Sequence, residues 1–243
     1  MTPPLFLVDA LDDGAEFTLG GDEGRHAARV KRLGAGEVVW VADGRGALAE
    51  CVVAAALTDG LRLTVTARRS VAEPDPRLVI VQALPKGERA ELAVETMTEL
   101  GVDAIVPWSA SRSITQWHGP RGDKGLDKWR RTAREAAKQS RRARVPVVDP
   151  AASTTQVAAR LAGAALALVL HEDATTSLAA LDLPSGGEIV AVVGPEGGIS
   201  GDELDSFGAV GAVPVRLGDP VLRTSTAGPA VLAALSLRLG RWG

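Results

Sequence analysis

Val190-Ala-Val-Val-Gly-Pro-Glu-Gly-Gly-Ile-Ser200 and Val213-Pro-Val-Arg-Leu-Gly-Asp-Pro-Val-Leu-Arg-Thr-Ser-Thr-Ala227 decide the fold. Each stretch is a short β-branched run that stops at glycine and proline and gives way to a helix. The apolar residues up to Val193 predict a buried strand. Gly194, Gly197 and Gly198 put no side chain between the backbone and whatever approaches it. Ser200 and Glu203 have the S-x-x-E spacing of a capping box, which predicts a helix start. A glycine-rich loop between a strand end and a helix N-terminus is where open α/β sheets bind small molecules. One such loop reads as a tight turn; two of them, 23 positions apart, favour a ligand site.

Gly194-Pro-Glu-Gly-Gly-Ile-Ser200 followed by Leu217-Gly-Asp-Pro-Val-Leu-Arg-Thr-Ser-Thr-Ala227 resembles the knotted SPOUT-class RNA methyltransferases, and within them the RsmE branch. Further resemblance lies in Ala83-Leu-Pro-Lys-Gly87, Glu99-Leu-Gly-Val102, Trp129-Arg-Arg131 and Glu135-Ala-Ala-Lys-Gln-Ser140. The resemblance implies an α/β protein: a small N-terminal PUA-like β-barrel over 1–72, then a SPOUT-type domain over 73–243 with a parallel sheet and a deep trefoil knot. It implies N3-methylation of a uridine in small-subunit (16S) ribosomal RNA, with S-adenosyl-L-methionine as donor and either the rRNA or the assembled subunit as substrate. A homodimer through the knot domain comes with it. Knots are rare, and periodicity and spacing predict none.

The site residues follow from the same resemblance. Loops after Leu170, Val193 and Leu217 would wrap the cofactor, with Leu170, His171, Gly194, Pro195, Glu196, Gly197, Gly198, Ile199, Leu217, Gly218, Leu222, Thr224, Thr226 and Ala227 holding it. Losing the uridine N3 proton builds negative charge on the uracil oxygens, which a nearby cation stabilises. Arg223 is the candidate for that catalytic role; a structural arginine anchoring the loop is the other reading. The family pattern has a glutamate where this chain has Ser225, so no carboxylate base stands at that position.

The +7 carried by 121–144 stands out on a chain whose net charge is −3. That stretch has 10 basic and 3 acidic residues, while 1–72, 73–120 and 145–243 are each acidic. Phosphate binding needs local positive potential, so the distribution matters more than the total. The spacing predicts a helix over 126–142 with Leu126, Trp129, Ala133 and Ala136 on one side. Its basic face, with Arg131, Arg134, Lys138, Arg141 and Arg142, is a candidate for RNA phosphate contact.

Residues 1–72 read as short strands and turns: 37–42, 47–57 and 61–68 are strand-like, with turns at Asp43-Gly-Arg-Gly46 and Thr58-Asp-Gly60. Arg25-His-Ala-Ala-Arg-Val-Lys-Arg32 is basic and helical in character. The resemblance makes Arg25, His26, Arg29, Lys31 and Arg32 RNA-binding; a solvated helix face, with His26 as a packing or capping histidine, is the plainer reading. Ala72-Glu-Pro-Asp-Pro76 is a stiff boundary.

Beyond it, 78–84 reads as a strand buried on both faces and 88–100 as a helix with Leu92, Val94, Thr96 and Leu100 near helical period and Gly101 as its end. Strands at 103–107, 144–148 and 164–170 and a helix at 154–162 continue a βαβ pattern. The stretch 109–125 reads as a loop. The apolar stretch from Pro229, with proline in its first turn, predicts a buried terminal helix.

The single cysteine, Cys51, excludes an internal disulfide and a cysteine-rich zinc site, and no metal is expected. No apolar stretch reaches the ~18 residues of a membrane span, and the N-terminus lacks a signal-peptide pattern; the expectation is a soluble, cytoplasmic protein without a membrane partner. A dinucleotide-dependent oxidoreductase is excluded by the lack of G-x-G-x-x-G after an early strand. Two alternatives stay open: a knotted ribosome-assembly factor that binds RNA without catalysis, and a SPOUT methyltransferase acting elsewhere, such as on a tRNA ribose.

Overall fold

The structure is a computed structural model that describes residues 2–87 and 89–242. The chain forms two compact units, Met1–Glu73 with Ala137–Val145, and Pro74–Ala136 with Pro146–Gly243.

The first unit is a five-stranded sheet in the order β1-β3-β4-β5-β2. Its strands are β1 (Leu5–Leu7), β2 (Glu16–Leu19), β3 (Val38–Ala42), β4 (Ala47–Leu57) and β5 (Gly60–Ser70). β1 runs parallel to β3, and the other pairings are antiparallel. The β3–β4 turn forms where expected because the Asp43 carboxylate accepts the amides of Arg45 (2.7 Å) and Ala47 (3.0 Å). β1 and β2 fall outside the expected strands. With three and four residues, they are too short for alternation to show.

The basic stretch is helical: α1 (Gly21–Arg25) widens into a π-helical turn over His26–Val30. Phe6, Leu19, Val39, Val41, Cys51, Val53, Leu61 and Leu63 form the core. Ala143 adds to a second cluster with Leu5, Leu7, Ala42 and Leu48.

The second unit is a six-stranded sheet in the order β11-β9-β10-β6-β7-β8, with every pairing parallel. The strands are β6 (Arg77–Ala83), β7 (Ala104–Trp108), β8 (Val147–Val148), β9 (Leu166–Leu170), β10 (Glu188–Val193) and β11 (Val213–Val215). Side chains alternate between two cores, as the pleat requires. Leu78, Ile80, Ile189, Ala191 and Val193 join Trp129, Met97 and Val231 on one face. Val79, Val81, Val190 and Val192 join Val157 and Phe207 on the other. Helices α2 (Arg89–Glu99), α3 (Gly119–Gln139) and α6 (Thr224–Arg238) supply the first set, and α4 (Thr154–Ala162) and α5 (Gly201–Gly208) the second.

Four local expectations are corrected. α3 begins at Gly119 rather than 126, with Pro120 at its first-turn position. Glycines 122 and 125, which argued for a loop, serve a close contact. A Cβ on Gly122 would lie 3.2 Å from Trp117 Cβ, and one on Gly125 would lie 2.6 Å from the Trp117 indole. The three-residue glycine spacing is therefore a groove for Trp117, which packs edge-on to Trp129 at 5.1 Å.

α6 likewise begins earlier, at Thr224, because the Arg223 carbonyl takes the amides of Thr226 (2.8 Å) and Ala227 (3.0 Å). Pro229 is thus inside the helix, where it removes one donor from the ladder. On α2 the buried residues are Ala93, Val94 and Met97, and Leu92 is half exposed. Glu88, expected to open this helix, lies outside the described residues. The strand expected over 144–148 keeps only Val147 and Val148, since Val145 bonds instead to Gly44.

Candidate active site

Strands β9, β10 and β11 are neighbours and end on one sheet edge. The loops that follow them, with the start of α6, line a cleft of ≈ 680 Å³. Leu170, Val193, Ile199, Val215 and Leu217 give it apolar walls. His171, Gly194, Pro195, Glu196, Gly197, Gly198, Gly218, Leu222, Arg223, Thr224 and Ala227 also line it. Thr226 does not. Its position on α6 is exposed, and its amide is engaged with Arg223.

The glycines of the loop after β10 have three separate physical reasons. A Cβ on Gly194 would lie 2.7 Å from Ile199 Cγ1, so this glycine lets Ile199 fold back over the strand end. A Cβ on Gly197 would lie 3.1 Å from both the Cβ and the carbonyl oxygen of Arg112. Gly198 has φ +74°, a left-handed conformation that favours glycine. The protein's own packing thus uses the side-chain-free backbone that the sequence suggested was for a ligand.

Glu203 sets the far end of the loop. It closes the capping box expected from the sequence, accepting the Ser200 amide (2.9 Å) and hydroxyl (3.0 Å). It also accepts the Ser111 amide at 2.8 Å and the Thr154 hydroxyl at 3.3 Å. Burial alone would push its carboxyl up. The hydrogen bonds from Ser111 and Ser200 outweigh that and hold it below the usual value. Glu203 is therefore an ionised strut joining the stretch after β7 to the loop after β10.

Two more tethers reach the same loop. The Glu196 carboxylate accepts the Lys86 amide at 3.1 Å, and Arg112 Nη1 donates to the Gly197 carbonyl at 3.3 Å. Thr115 Oγ1 donates to the Pro85 carbonyl at 3.1 Å, tying the two outer segments together. Arg112 and Arg89 line the cleft with Arg223. The sequence reading missed both; the signal was an arginine in each polar stretch after a parallel strand, at the same sheet edge as the glycine-rich loops.

Ser225 is buried in the first turn of α6. Beside it, the fully buried Gln82 donates through Nε2 to the carbonyls of Ala83 (3.1 Å) and Thr224 (3.3 Å), fixing the start of that helix. Arg223 is exposed, and its side chain makes no capping hydrogen bond.

The sequence model for an RNA methyltransferase domain matches residues 72–236, and that for an RNA methyltransferase PUA domain matches residues 19–65. The ribosomal RNA small subunit methyltransferase E of Mycobacterium bovis is 49% identical over 248 residues, covering 100% of this chain and 94% of the relative. The chain belongs to the RsmE family of RNA methyltransferases.

The family extends to more distant members. The Bacillus subtilis ribosomal RNA small subunit methyltransferase E is 29% identical over 234 residues, covering 93% of this chain and 91% of that one. A crystal structure of the Neisseria gonorrhoeae enzyme of the same name, bound to S-adenosyl methionine, superposes with a TM-score of 0.85. It shares 25% identity and covers 98% of each chain.

In this RsmE chain the candidate RNA-binding residues of the first unit differ in their engagement. Arg25 pairs with Asp22, and Arg29 with Asp59 at 2.5 Å. His26 meets Phe6 edge-on at 6.5 Å, as a packing histidine would. Lys31 and Arg32 are exposed. Lys138 is drawn in, with its ammonium on Glu23 at 2.7 Å and only 14% of the side chain exposed. Arg141 donates to the Pro3 carbonyl at 3.1 Å, and Arg142 is half-buried. On α3, Arg131 is exposed and Arg134 half-buried.

Proposed function

We propose that this protein transfers a methyl group from S-adenosyl-L-methionine to N3 of a uridine in small-subunit ribosomal RNA. The observation that carries the reading is the cleft at the ends of β9, β10 and β11, with the exposed Arg223 at its wall. The residues fit the donor. The loop from Gly194 to Gly198 lines the cleft with polar backbone, while Leu170, Val193, Ile199 and Leu217 suit an apolar ring. When bound, S-adenosylmethionine supplies a methyl group on a sulfonium, which the uracil N3 takes in line as the sulfur–carbon bond breaks and the N3 proton leaves.

Alignment is the protein's main contribution. The Glu203, Glu196 and Gly197 tethers hold the loop after β10 in place. Arg223, at the N-cap of α6, supplies the cation for charge growing on the uracil oxygens. With Ser225 on the first turn of α6, no carboxylate takes the proton from that position.

The closed PUA-like barrel, the deep trefoil knot, the division at 72/73 and the cytoplasmic location belong to the same proposal. So does a homodimer through the second unit. Support for the dimer is the apolar outer side of α6, where Leu237 is 69% exposed. No helix among the described residues is long and apolar enough to cross a membrane.

Complementation tests the reading. Cells lacking the gene should have small-subunit rRNA without N3-methyluridine. The wild-type chain should restore it, and Arg223→Ala should not. An unchanged N3-methyluridine level in the deletion strain would contradict the assignment.

A further inference from the structure

Four arginines line the cleft: Arg89, Arg112, Arg216 and Arg223. Arg216 pairs with Asp219 at 3.6 Å. Arg89, Arg112 and Arg223 form no ion pair among the described residues, and Arg112 makes the neutral contact to the Gly197 carbonyl. Four acidic residues also line the cleft, Glu172, Asp173, Glu196 and Asp219, and among the described residues none of them forms an ion pair with Arg89, Arg112 or Arg223. Glu196 holds the Lys86 amide.

Three guanidinium groups without an ion-pair partner among the described residues are open to a further anion at the cleft. One of the three suffices for the uracil. Guanidinium groups match the geometry of phosphate oxygens bidentately.

The placement of the other two is not incidental. Arg89 opens α2, just after the Pro85–Gly87 segment that Glu196 and Thr115 hold. Arg112 follows Ser111, which Glu203 holds, and its own backbone lies against Gly197. Both arginine-bearing segments are therefore indexed to the loop that faces the donor.

We infer that Arg89 and Arg112 form a phosphate clamp that grips the RNA backbone next to the target nucleotide and sets its register against the cofactor loop. The inference rests on the proposed RNA methylation and adds two positioning residues to it. The clamp acts on substrate affinity and orientation, whereas Arg223 acts on the uracil charge. Its ligand is the RNA phosphodiester, so the contacts are sequence-independent and salt-sensitive.

The test compares wild type with Arg89→Gln, Arg112→Gln, the double variant and Arg112→Lys. Readouts are equilibrium binding of a small-subunit rRNA fragment over a salt series, KM and kcat for that RNA, and calorimetric affinity for S-adenosylmethionine. The clamp predicts KM for RNA raised about tenfold per arginine, with cofactor affinity within twofold. The slope of log K against log salt should be shallower by about 0.7 per arginine for a single strand. Arg112→Lys should recover part of the loss, because a point charge still attracts phosphate.

An unchanged salt slope and KM in the double variant would overturn the clamp. So would a loss of cofactor affinity that accounts for the whole loss of activity, since Arg112 would then only brace Gly197. Binding and slope need no turnover, so they report on the clamp even where a wild-type enzyme without methyl transfer has already sunk the proposed reaction.

Discussion

Glu203 accepts the Ser111 amide at 2.8 Å across 92 positions of sequence, while its other oxygen closes the cap of α5 on Ser200. One buried carboxylate therefore fixes the loop after β10 and the stretch after β7 together. Replacing it with alanine leaves the Ser111 and Ser200 amides without their charged acceptor. Glu203→Ala should lose about 2–3 kcal/mol of stability, measured by urea unfolding at neutral pH.

The same carboxyl sets a pH dependence. Its folded pKa lies below the unfolded one, so its contribution is present above the ordinary glutamate range and fades as pH falls through the folded value. The stability gap between wild type and Glu203→Gln should therefore be constant from pH 6 to 8 and shrink below about pH 4.3. A gap that widens on acidification would contradict the strut.

Gly125 faces the Trp117 indole so closely that a Cβ would sit 2.6 Å from it. Gly125→Ala raises helix propensity by about 1 kcal/mol, yet overpacking should cost about 1–3 kcal/mol. The net effect should be destabilising, and Gly125→Ala with Trp117→Leu should recover stability, as read from thermal unfolding of the two variants.

Arg223→Ala should lower kcat by about 100-fold or more, the cost of removing one charge-stabilising donor, while calorimetric cofactor affinity stays within a few-fold. Full turnover in this variant would assign Arg223 to anchoring alone.

Cys51 is fully buried, and burial pushes its thiol up to about 11, against a smaller opposing pull from Arg68. A disulfide reagent at pH 8 should leave it unmodified for as long as the chain stays folded and label it at the unfolding midpoint in urea. Stoichiometric labelling of native protein would contradict the burial.

Residues that act through repeated local chemistry were legible in the sequence. The Ser200 and Glu203 spacing gave the α5 cap, Asp43 gave the β3–β4 turn, and the apolar run ending at Val193 gave a central strand. Gly122 and Gly125 misled because the groove they build exists only once Trp117 folds against α3. The same is true of Pro229: its place inside α6 depends on the cap at Arg223 and on Gly228 fitting against Met97 Sδ, 2.8 Å from where a Cβ would stand. An arginine after each parallel strand was a weak signal for Arg89 and Arg112, since their shared position follows from a sheet order in which β10 lies beside β6 and β6 beside β7. Lys138 read as a candidate for phosphate contact; Glu23, which its ammonium meets, is 115 positions away in sequence.

The central claim is the reaction itself. Purified protein would be incubated with radiolabelled S-adenosylmethionine and small ribosomal subunits from cells lacking the modification, and the labelled nucleoside identified by mass spectrometry. The account predicts N3-methyluridine at one site per subunit. Label in a ribose methyl or in another base, or no transfer despite measurable cofactor binding, would contradict it.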